Sequence, residues 1–110
     1  MNHTNYEKKQ FVVDTLLTLV NSSPAKNFYS TNYNGNSIKK FDISQQELNN
    51  WINYINSVLN IISDFIYQGE ISLIKGQIIR ITSENETNIM RALNIERELL
   101  NMAKRILQYY

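Results

Sequence analysis

The chain has 110 residues, with 11 Lys and Arg against 10 Asp and Glu, one His, one Pro and no Cys. That length fits one domain able to bury roughly two thirds of its unfolded surface. A formal charge of +1 withholds the electrostatic footprint of a nucleic-acid or anionic-membrane binder, and the lack of Cys excludes disulfides, thiolate zinc sites, iron–sulfur clusters and cysteine nucleophiles.

The spacing predicts a first helix over residues 5–22. Thr4 and Glu7 have capping-box spacing, Tyr6, Val13, Leu16, Leu17 and Val20 recur at helical steps, and Pro24 lies just past the end. Residues 23–42 form an irregular connection containing Phe28, Tyr29 and Tyr33. Its Asn34-Gly35 step suits a hairpin turn, so a hairpin over 28–41 is the alternative there. A second helix is predicted over 44–68. Ser44 and Glu47 make a capping box, and Ile43 and Leu48 can form a hydrophobic staple. The stripe Leu48, Trp51, Ile52, Ile55, Val58, Leu59, Ile62, Phe65 and Ile66 runs on to Gly69 as a stop, which makes this helix the expected core.

Residues 70–82 read as a shorter fourth helix through Ile71, Ile74, Ile78 and Ile81, with a hairpin turning at Lys75-Gly76 as the alternative. The last helix is predicted over 84–108. Ser83 and Glu86 would open it, with Glu84 near the positive dipole end. Its expected core side is Ile89, Ala92, Leu93, Leu99, Leu100, Ala103, Ile106, Leu107 and Tyr110, with Thr87, Arg91, Asn94, Glu98, Asn101 and Arg105 toward solvent. The expected whole is an all-α small helical bundle in a single domain over 1–110.

Catalytic groups do not assemble. His3 sits at a terminus, the three Gly are isolated, and no Glu-x-x-His pair occurs. Glu84/Glu86 and Glu96/Glu98 are each two residues apart, so neither pair converges on one ligand; Glu96 and Glu98 are expected at the surface beside Arg91, Arg97 and Arg105. No cofactor or metal is expected, and the reading is non-enzymatic.

The unusual feature is the second helix. From Leu48 to Ser63 it carries no charged residue, and Asn fills positions where a solvated helix ordinarily holds Lys, Glu or Arg. Charge depletion beside aromatics marks the centre of protein interfaces. The expected protein-binding residues are therefore Asn49, Asn53, Tyr54, Asn56 and Asn60, together with Phe28, Tyr29 and Tyr33 of the connection. The expected function is stoichiometric association with another protein, as an inhibitor, immunity or phage anti-defence protein or a small regulatory subunit; homodimerisation through the same face is a variant. Codon bias is the competing explanation, since the 16 Asn and 15 Ile are written by AT-rich codons, which points to a low-GC bacterium or its mobile elements. A small nucleic-acid-binding regulator using Lys26, Lys39 and Lys40 beside the loop aromatics is the alternative function. With no apolar run of signal or membrane-span length, a cytoplasmic location without membrane association is expected.

Overall fold

A computed structural model describes residues 5–26, 42–63 and 67–110. These form four long helices: α1 (Asn5–Asn21), α2 (Gln45–Ile62), α3 (Gln68–Ser83) and α4 (Asn88–Tyr109). The protein is all-α. Residues 70–82 are helical, which removes the hairpin alternative at that place, and α3, with 16 residues, is nearly as long as α1 with 17. The hairpin considered for 28–41 lies outside the described residues.

Side-chain links fix how the helices run. The end of α4 meets the start of α3 where Arg105 grips Glu70, so α3 and α4 form an antiparallel hairpin. Lys26, just past α1, pairs with Glu96 only two turns into α4. Because α1 also packs against α4, it runs from there toward the C-terminal end of α4, antiparallel to it. α2 and α3 face each other through Asn60 and Lys75.

One core takes residues from all four helices, including Leu16, Leu19, Leu48, Ile55, Leu59, Ile74, Ile95, Leu99, Met102 and Ile106. α4, which touches each of the other three helices, is its hub rather than α2. Ala92 and Ala103 lie in its buried face, where small side chains let neighbouring helices approach closely.

Four local expectations need correction. On α1 the buried set is Val12, Val13, Leu16, Leu19 and Val20, whereas Tyr6 and Leu17 are exposed. The apolar residues of this helix wrap around more than one face, and tertiary packing selects the flank. α2 ends at Ile62, capped by Ser63, rather than at Gly69; Phe65 and Ile66 lie outside the described residues, as does Thr4. The reversal comes instead at Tyr67, whose φ of 68° is left-handed, and Gly69 lies inside α3. A left-handed non-glycine residue costs about 1–2 kcal/mol. Here the Tyr67 ring packs edge-on against Tyr110 at a centroid distance of 4.9 Å, a geometry that contributes about 0.5–1.5 kcal/mol beyond area burial.

α4 starts later than expected. Thr87, not Ser83, is its N-cap, accepting from the Met90 amide at 3.2 Å. Ser83 closes α3, and Glu84 pairs back with Arg80. Two more amides at the start of α4 are satisfied from a distance: Asn88 and Ile89 donate to the Asp42 carboxylate at 2.9 and 2.7 Å. Leu100, Leu107 and Tyr110, expected in the core, are exposed, while Ile95 and Met102 take their place.

Candidate protein-binding face

The capped start of α2 forms as its sequence dictates. The Glu47 amide donates to Ser44 Oγ, and the Ser44 amide donates to Glu47 Oε1, both at 3.0 Å. This sets the rotation of every residue that follows. Trp51 turns inward and is core: its indole N–H donates to the Leu19 carbonyl at 3.1 Å, closing the last turn of α1. It is not available to a partner, although it contributes to the charge-poor, aromatic character of the helix.

Each residue rotates an α-helix by about 100°, so the expected set divides. Asn49, Asn53, Asn56 and Asn60, at steps of four, three and four, share one flank; all are exposed except Asn56, which is half-buried. Tyr54, 47% exposed, sits on the opposite flank with Ser57 and the exposed Ile61. Within the Asn row, Asn49 accepts from Gln45 at 2.9 Å and Asn60 accepts from Lys75. Among the described residues, the side-chain amides of Asn53 and Asn56 have no such partner, so each keeps donors and an acceptor to offer.

The Asn flank borders a groove between α2 and α3 of about 320 Å³, lined by Ile52, Asn56, Asn60, Lys75, Ile78, Ile79 and Thr82. Ile79 is 69% exposed. Sequence reasoning had passed over this wall, yet it left a signal: adjacent isoleucines on a helix point about 100° apart, so Ile78 and Ile79 could not both sit at the centre of the buried face. Ile61-Ile62 repeats the pattern on α2, with Ile62 buried and Ile61 exposed.

Phe28, Tyr29, Tyr33, Lys39 and Lys40 lie outside the described residues. Lys26 is bound to the buried Glu96 at 3.0 Å, so its charge is already engaged. Glu96 is a second correction, being 7% exposed rather than at the surface. Its Oε2 has no hydrogen-bond partner among the described residues.

The Tyr67 phenol is raised above its ordinary value by burial, with Tyr110 adding to the effect. The Arg105 guanidinium is raised by its hydrogen bonds to Glu70, with Nη2 at 2.8 Å from Oε1. Among the described residues no three His, Asp or Glu side chains gather to hold a metal, and no helix is long and apolar enough to cross a membrane. No protein-family model, curated protein or solved structure matches this chain.

Proposed function

We propose that the protein is a non-enzymatic binding module that associates stoichiometrically with another protein through the Asn flank of α2 and the groove beside it. The observation that carries this reading is the composition of that surface. Asn56 and Asn60 line a groove whose far wall presents the exposed Ile79, and Asn49 and Asn53 continue their row along α2, with the amides of Asn53 and Asn56 uncommitted among the described residues. Apolar anchors beside amides, with little charge to desolvate, are the ingredients of an interface centre.

The physical description covers an inhibitor, an immunity or phage anti-defence protein, or a regulatory subunit. The nucleic-acid alternative is disfavoured by the engagement of Lys26 with Glu96.

The test compares the native chain with Asn53→Lys/Asn56→Lys in affinity capture from the native host, with circular dichroism as the folding control. The double variant should lose a stoichiometric protein partner while keeping full helicity. Capture of the same partner by both chains would remove the interface from this flank. Light scattering across concentrations distinguishes a foreign partner from a second copy.

A further inference from the structure

We infer that the outer stripe of α4 is a separate docking surface for an acidic amphipathic helix of a partner protein. Met90, Leu93, Arg97, Leu100, Lys104 and Leu107 follow one another at steps of three and four, which places them in a single line along the helix. From Met90 to Leu107 that line is about 26 Å long at 1.5 Å per residue. Met90 is 41%, Leu100 37% and Leu107 54% exposed, and Leu93 is half-buried against the core.

Two seven-residue repeats are interleaved in the line. Leu93, Leu100 and Leu107 form one, and Arg97 and Lys104 form the other. A leucine every seventh residue with a charge beside it is the pattern by which one helix receives another, the apolar row supplying area and the charged row setting partner choice. The core takes part of Leu93 and leaves Met90, Leu100 and Leu107 exposed: the buried seam of α4 is the separate series Ala92, Ile95, Leu99, Met102 and Ile106.

Charge identifies the occupant. Arg97 and Lys104 are both exposed, and neither has a carboxylate partner among the described residues. Arg97 donates only to the Asn94 amide oxygen, at 2.8 Å. The other cations of α4 differ: Arg105 is held by Glu70, and Arg91 donates to Asn88 and to the Glu84 carbonyl. Glu96, the carboxylate that borders the row, is buried and taken by Lys26. A second copy laid on the same stripe would set cation against cation. A helix with leucines facing this row and glutamates opposite Arg97 and Lys104 satisfies both repeats at once.

The probe is a synthetic 18-residue helical peptide with leucine and glutamate in the two complementary seven-residue repeats. Its twin carries lysine for glutamate. Titration into the isotope-labelled full chain should shift amide resonances of residues 90–107 with the acidic peptide and not with the basic one. Arg97→Glu/Lys104→Glu, at two exposed positions, should weaken the acidic peptide at least tenfold and confer binding of the basic peptide. The inference is overturned by equal binding of both peptides, or by shifts centred on the α2–α3 groove. It is equally overturned if the stripe is covered by Phe28, Tyr29 or Tyr33 of the same chain, seen as ring-to-methyl contacts in the free protein. Binding of anionic vesicles with no response to the acidic peptide would assign the row to a lipid surface instead.

Discussion

At the residue scale, buried polar side chains are where physical expectation and the fold part company. Glu70 and Glu96 occupy core-facing positions on α3 and α4, the first held by Arg105 of α4 and the second by Lys26 just past α1. Pattern reading assigns a carboxylate to solvent, and nothing local announces that Lys26 or Arg105 will reach it. Removing one member of such a pair strands the other, whereas replacing the pair with apolar groups is often neutral. Tyr67 supplies a sharper test. Its raised pKa means the folded chain keeps the phenolic proton to higher pH than the unfolded chain, which releases it near about 10. The stabilisation is therefore complete below that pH and is lost as pH rises through the folded value. Urea unfolding should show stability falling as pH rises past about 10, and falling less steeply in Tyr67→Phe. Parallel curves for the two chains would remove Tyr67 as the source.

At the scale of elements, start signals were legible where they were local. Ser44 and Glu47 announce α2, and both reciprocal bonds form. The expected start of α4 differs because Ser83-x-x-Glu86 offers capping-box spacing, whereas Thr87 is the cap and two further amides are satisfied by Asp42, 46 positions before Asn88. Periodicity cannot register a cap delivered by a distant segment. It follows that Thr87→Ala should cost about 1 kcal/mol, the usual value of a lost N-cap, whereas Ser83→Ala should stay within about 0.5 kcal/mol, as for an ordinary surface change. Thermal unfolding of the two variants compares them directly. Equal losses would reinstate Ser83 as a cap. The two apolar flanks of α1 show the same limit: Leu16 and Leu17 are equally good core residues by type, and only the neighbouring helices decide that Leu17 turns outward.

At the scale of the molecule, the fold class was legible from the helical periods and the two long capped segments. The packing order was not. The expected core helix, α2, has the cleaner stripe, yet α4 is the hub because it touches all three other helices. The candidate binding face was half legible. Its Asn row follows from sequence spacing alone, but the groove that gives the row a wall depends on which face α3 turns outward, and that is a property of the assembled bundle.

The two anchors on α4 described above, Lys26 on Glu96 and Asp42 on Asn88 and Ile89, also bear on how far this chain can be re-engineered. The two described residues that flank the connection, 26 and 42, are pinned within the first three turns of one helix. These two anchors hold the described segments to α4 on either side of the 15 residues between them. Closure entropy changes by only about 0.6 kcal/mol for each doubling of loop length. Replacing residues 28–40 with a Gly-Ser linker of half that length should leave the helical circular dichroism intact and the unfolding free energy within about 1 kcal/mol. Such a chain would carry the α2 and α4 surfaces without Phe28, Tyr29 and Tyr33, and so separates a binding contribution of those rings from one of the helices. A collapse of helicity in the shortened chain would show that the connection is part of the core.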